Sequence, residues 1–235
     1  MKSFVLTVLM FFDFFHKRKI LISLRSLLEQ DKYIIFDVGA HHGESISFFI
    51  KNFKISKIYT FEPLKNNFTK LKKNTKLVKD KLAYFNFALG EKKEKKIIKE
   101  MIETSSSTLN DINEKSNYYK RKKFFLGLNN QEKMYKEKNI LVEKGINIIK
   151  KLGIKKIDLL KIDTEGYEFS VIKGFGKSIN KINIIMFEHH YDLMINKGYR
   201  FSEINNLLLK NNFKKKFRLK MKFRKSFEYI YENSF

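Results

Sequence analysis

Asp37, Gly39, Gly43, Glu62, Asp163, Glu188 and His189 are the residues whose types and spacing could do chemistry. In Phe36-Asp37-Val38-Gly39-Ala40-His41-His42-Gly43-Glu44 an apolar run ends in an acid, and two glycines four apart follow. Glycine permits positive φ and lets a ligand approach the backbone, while the start of a helix offers unpaired N–H groups. The stretch therefore reads as the opening of a nucleotide-type cofactor site. A second apolar run, Lys57-Ile58-Tyr59-Thr60-Phe61-Glu62-Pro63, also ends in an acid. In doubly wound sheets an acid at the end of the second strand accepts hydrogen bonds from a ribose diol. Such charged hydrogen bonds are worth about 1.5–3 kcal/mol each.

The spacing Gly39-x-x-x-Gly43 differs from G-x-G-x-x-G, whose close glycines make room for a pyrophosphate. A nucleoside without phosphates fits better, and S-adenosylmethionine is such a ligand. Its ammonium can meet Asp37, its amino-acid end the Gly39 to Gly43 turn, and its ribose Glu62. The competing reading is a helix-capping loop plus a solvated glutamate.

A third segment, Ile157-Asp158-Leu159-Leu160-Lys161-Ile162-Asp163-Thr164-Glu165-Gly166-Tyr167-Glu168, is an apolar strand breaking into an acid-rich turn. Together with Asp37-Val38-Gly39-Ala40 and Phe61-Glu62-Pro63, in that order, it closely resembles the FkbM family of S-adenosylmethionine-dependent methyltransferases. Asn86-Phe87-Ala88-Leu89-Gly90 and Ser105-Ser106-Ser107 resemble the family's middle motifs. The resemblance covers roughly residues 33 to 190, and Lys-Ile-Asp-x-Glu-Gly is its most specific part. It implies a Rossmann-like class I methyltransferase, an α/β fold whose mostly parallel seven-stranded sheet ends in an antiparallel hairpin. Asp37, Gly39, Ala40, Gly43, Glu62 and Ala88 become the expected cofactor contacts. His41-His42 departs from the family, which more often has a small or amide residue there, and this alters the mouth of the site.

Methyl transfer from a sulfonium is an in-line displacement with the methyl group already activated. The protein must align the acceptor, worth about 7–11 kcal/mol in favourable cases, and for a hydroxyl take its proton, worth roughly a hundred- to ten-thousandfold. Open α/β sheets bind ligands at the carboxyl ends of their strands, where Asp163, Glu165, Glu188, His189 and His190 gather. The expected catalytic set is Asp163, His189 and Glu188. His189 titrates in a range suited to a base near neutral pH, although a strand-end histidine is also a common structural residue. Asp163 could instead contact the methionine ammonium or anchor its turn. A divalent metal binding the acceptor is an alternative at this edge, but no His-x-His or similar spacing supports it strongly, and none is expected.

Stepping outward, Ile34, Ile35, Phe36 and Val38 read as a buried parallel strand, and Ile46, Phe49, Ile50 and Phe53 as the helix after it. Leu64, Phe68 and Leu71 mark the next helix, and Leu82 to Phe87 a third strand. Residues 91–140 are polar, lysine-rich and irregular, which suits a substrate lid or a loose surface loop. Beyond Asp163 come a helix from Tyr167, a strand at Ile182 to Phe187, and a helix carrying Ile204, Leu207 and Leu208 with Ser202 as its N-cap. Alternation in Leu219, Met221, Phe223 and again in Phe227, Tyr229, Tyr231 marks a hairpin.

The chain of 235 residues suits one α/β domain over residues 31–235, preceded by an apolar helical segment at 1–30. The absence of cysteine removes disulfides and thiolate chemistry and agrees with a cytoplasmic protein. The net charge of +24 invites a nucleic-acid partner. However, the cations are mostly lysines scattered among Asn and Ile, whereas base readout and phosphate clamps favour Arg. A small-molecule or glycan acceptor is therefore expected over RNA. A non-catalytic cofactor-binding protein attached to a membrane is the third reading. Phe4 to Phe15 is apolar and precedes Lys17-Arg18-Lys19. It is too short to span a bilayer, which needs about 20 residues. Residues 4–19 would then pack against the domain or a partner subunit, or lie in a membrane interface.

Overall fold

A strand buried on both faces must be covered by helices on both sides, and the central strands here are apolar on both. The computed structural model describes residues 2–28, 32–102, 106–129, 132–222 and 225–234, with side chains from residue 14 onward. The expected domain boundary at residues 30 and 31 lies outside the described residues. Helix α1 (Lys2–Arg25) leads to strand β1 (Tyr33–Val38), helix α2 (Glu44–Asn52), β2 (Ile55–Phe61), α3 (Lys65–Asn74) and β3 (Leu82–Phe85). Next come β4 (Ala88–Leu89), β5 (Glu94–Met101), β6 (Asp111–Ile112), α4 (Asn117–Phe125), β7 (Tyr135–Glu143) and α5 (Gly145–Lys151). The chain closes with β8 (Ile157–Ile162), α6 (Glu168–Lys173), β9 (Ile182–His190), β10 (Ile195–Asn196), α7 (Phe201–Lys210), β11 (Phe213–Lys220) and β12 (Ser226–Asn233).

Seven strands form one sheet in the order β11-β12-β9-β8-β1-β2-β3. β3, β2, β1, β8 and β9 run parallel, and β12 and β11 add antiparallel to β9. This is the expected class I methyltransferase architecture. Period-two alternation sends side chains to two apolar clusters. Phe36, Val38, Leu160, Ile162, Ile185, Phe187, Tyr229 and Tyr231 face α5, α6 and α7. Ile35, Leu159, Ile184, Met186 and Ile230 face α2 and the end of α1, where Ile20, Leu24 and Leu28 are buried against them. The described end of α1 is thus part of the core. Side chains of residues 4–13 lie outside the described set, while Phe14 and Phe15 are exposed beside the exposed cations of residues 17–19. Among the described residues, no helix is long and apolar enough to cross a membrane.

Two sequence expectations need correction. Residues 91–140 are not an irregular loop: β5 pairs antiparallel with β7 over eight residues, β4 joins β7, and α4 stands between β6 and β7. Ile98, Ile140 and Val142 form one thin buried face there, and the lysines around them mask its pattern with charge. Ser202 is not the N-cap of α7. Arg200 holds that position, and its N–H donates to Glu203 Oε2 at 2.7 Å.

The loop after β1 is set by a close backbone crossing. Gly39 has φ +80°, and a Cβ there would lie 1.9 Å from the carbonyl oxygen of Asp163. Gly153 also has positive φ, +62°, but nothing lies within 4 Å of its Cβ position. Gly153→Ala should therefore cost only the left-handed strain, about 1–2 kcal/mol. Gly39→Ala adds overpacking of about 1–3 kcal/mol. Urea unfolding of both variants checks this, and equal losses would show that the crossing at Asp163 is not what fixes Gly39.

Candidate active site

Lys161 is the penultimate residue of β8, a strand whose six residues are all buried. An unpaired ammonium cannot remain charged there. Its Nζ lies 3.4 Å from Asp37 Oδ1, on the neighbouring strand at the same register, and 3.3 Å from Asp163 Oδ2. Burial works against the ammonium, but the charges of Asp163, Asp37 and Glu228 outweigh it and hold its pKa above the ordinary lysine value. Asp37 is completely buried, and its other oxygen accepts from Ser45 Oγ at 2.5 Å. The expected contact between Asp37 and a ligand ammonium is thereby corrected. Asp37 does not line the cleft and acts through Lys161 and Ser45.

Above this pair opens a cleft of about 400 Å³, walled by Gly39, Ala40, Glu62, Leu64, Ala88 and Asp163 among others. That volume falls in the range of about 300–1,000 Å³ usual for small-molecule sites. Glu62 accepts from the backbone N–H of His41 at 3.0 Å and of Leu64 at 2.9 Å. Burial pushes its carboxyl up to about 7 despite these donors. Asn86 Nδ2 donates to the Glu62 and Pro63 carbonyls at 2.8 and 3.1 Å, tying the Ala88 segment to the same wall. Gly43, at φ +95°, is not a wall residue. A Cβ there would meet Thr75 and Leu71, so this glycine packs α2 against the end of α3. Ser107 reaches the cleft and Ser106 accepts from Lys122 Nζ at 2.9 Å, whereas Ser105 lies outside the described residues.

A second cleft, about 1370 Å³, adjoins the first between α4 and the end of β9. Asp163, Glu165 and Glu188 line both clefts. The Asp163 side chain is 39% exposed and remains tethered to Lys161, which makes it the accessible carboxylate at the junction. Glu165 Oε2 lies 3.2 Å from His190 Nε2, and Glu188 Oε1 3.3 Å from the same nitrogen. Burial opposes the His190 cation, yet Glu165, Asp192 and Glu188 raise its pKa to about 10. Burial and the neighbouring Glu188 and Asp163 charges raise Glu165 in turn, against the pull of His190. Glu228 stands opposite Glu188 across the β9–β12 ladder and is also raised, by burial first and then by Glu188.

His189 is not in this cluster. Successive strand residues point to opposite faces, so Glu188 and His190 reach the clefts while His189 goes to the α7 side. There it packs against Tyr191, Tyr199 and Phe201, with ring centroids 4.8, 5.9 and 5.4 Å away. Burial, Lys197 and His190 lower its pKa to about 3. The expectation of a base at His189 is corrected: its ring is buried, neutral and turned away from both clefts. Lys161 and Glu228 were not expected as site residues. A lysine inside an apolar strand, and a glutamate alternating with Phe227 and Tyr229, were the available signals.

The chain matches the methyltransferase FkbM domain over residues 37–215. No curated protein matches it. Among solved structures it is similar to a methyltransferase FkbM from Methylobacillus flagellatus KT, with TM-score 0.58 and 17% identity over 88% of this chain and 45% of that one. The chain thus spans less than half the length of that relative. It also resembles M. capricolum TrmK in complex with S-adenosylhomocysteine, with TM-score 0.52 and 11% identity over 91% of this chain and 67% of that one. An rRNA methylase from Streptococcus thermophilus gives 0.51 and 9%, over 92% and 94%. All three likenesses, at 9–17% identity, show the fold alone. The buried acid facing the first cleft, its two bound N–H groups and the cleft's size fit a nucleoside cofactor, and with the matched domain they indicate S-adenosylmethionine. With most of the chain, residues 37–215, matching the domain, and with the sheet, crossing and cleft in place, the chain belongs to the FkbM methyltransferase family.

Proposed function

We propose that the protein is an S-adenosylmethionine-dependent O-methyltransferase acting on a hydroxyl of a small molecule or glycan. The observation that carries this reading is Asp163, half-exposed where the two clefts join and held by Lys161. The cofactor supplies an activated methyl group. In this reading Glu62 accepts from its ribose, Gly39 and Ala40 wall its amino-acid end, and Asp163 takes the acceptor's proton. His190 is unsuited to that task, because three carboxylates keep it protonated. The second cleft is lined both by Asp163, Glu165, Glu188 and Asp192 and by Lys115, Arg121, Lys122 and Lys225, a wall of donors and acceptors suited to hydrogen-bonding a hydroxyl-rich acceptor.

The test is release of S-adenosylhomocysteine with sugars, small hydroxyl compounds and RNA offered in parallel. Transfer to hydroxyl compounds, cut about a hundredfold or more in kcat by Asp163→Asn, supports the proposal. Transfer to RNA alone, or full kcat in the variant, overturns it.

Cofactor binding should also depend on pH through Glu62. Its carboxyl ionises at about 7 in the free protein, and ribose hydroxyls donate best to the ionised form. Binding therefore lowers this pKa. Affinity for S-adenosylhomocysteine is full above pH 7 and falls by up to about tenfold per pH unit below it. Calorimetry across pH 5.5 to 8.5 reads the slope, and Glu62→Gln should flatten it. A wild-type profile that is already flat would remove Glu62 from the binding site.

A further inference from the structure

The side chains of His41 and His42 stand beside the first cleft in a defined arrangement. The two rings stack with centroids 3.7 Å apart and planes 23° from parallel, so their Nδ1 atoms turn to the same side. His41 Nδ1 lies 3.2 Å and His42 Nδ1 3.9 Å from a single oxygen, Glu44 Oε1. One ligand atom from each of the three residues falls within 4.8 Å of the other two. Bonds of about 2.1 Å at tetrahedral angles place ligand atoms about 3.4 Å apart. The observed separations bracket that value.

Each ligand atom is presented by something behind it. Glu44 Oε2 accepts the backbone N–H of His42 at 3.2 Å, which leaves Oε1 facing the rings. His42 Nε2 lies 3.2 Å from Asn67 Oδ1. Asn67 is buried, and its carboxamide oxygen can only accept. Its Oδ1 therefore accepts from His42 Nε2–H. That fixes the tautomer with a lone pair on Nδ1, the outer-shell arrangement usual behind a metal-bound histidine.

We propose that His41, His42 and Glu44 form a divalent-cation site on the wall of the first cleft, through His41 Nδ1, His42 Nδ1 and Glu44 Oε1. Two imidazoles and one carboxylate suit zinc. The ion would replace the proton between His41 and Glu44, and a coordination position would stay open toward the cleft that His41 and Glu44 line.

The test uses untagged, chelator-stripped protein titrated with Zn²⁺ by calorimetry and with Co²⁺ by visible absorption. One site per chain is expected, together with the intense Co²⁺ bands of a low-coordinate nitrogen and oxygen site. His42→Gln and Glu44→Gln should each weaken binding by at least about tenfold at unchanged circular dichroism. If either variant loses its fold, His41→Asn removes a ligand nitrogen with a residue that tolerates the φ of +47° found there. No saturable binding, or binding of wild-type strength in the folded variants, would overturn the proposal.

Discussion

A lysine ammonium in the middle of an apolar sheet survives only if carboxylates reach it, and that requirement organises this molecule. Lys161 draws Asp37 from the adjacent strand and Asp163 from the turn that follows its own. The same turn crosses the loop after β1 so closely that only glycine fits at position 39. One ionic contact and one backbone crossing thus bring two strand ends together, and the junction of the clefts lies where they meet. Breaking a buried pair by removing one partner costs about 3–5 kcal/mol, because the remaining charge is left without compensation.

The strand parity of the site is legible in the sequence. Ile184 and Met186 share a face with Glu188 and His190, while Ile185 and Phe187 share the other with His189. The choice of His189 over His190 rested on side-chain chemistry without the alternation. Lys161 was read as part of a motif, although a cation inside Ile157–Ile162 already requires a partner. The central sheet, the terminal hairpin and the positions of Glu62, Asp163 and Glu188 follow from apolar runs ending in acids, and the structure agrees with them.

What the sequence hid has physical causes. The β5–β7 sheet has one thin apolar face, and lysines on both faces obscure its period. The glycines of the first turn were read as room for a ligand. In the structure Gly39 makes room for the Asp163 carbonyl and Gly43 for Thr75 and Leu71. Those constraints come from residues far away in the chain, so local spacing shows that small residues are needed without showing what approaches them.

The most direct measurement of the central claim is a double-mutant cycle between Asp37 and Lys161, read by urea unfolding. Lys161→Met alone should lose about 3–5 kcal/mol, since Asp37 stays buried and charged without its partner. Asp37→Asn combined with Lys161→Met should be more stable than Lys161→Met alone. If the two losses simply add, the pair is not coupled, and the sheet end must be held together by something other than this buried charge.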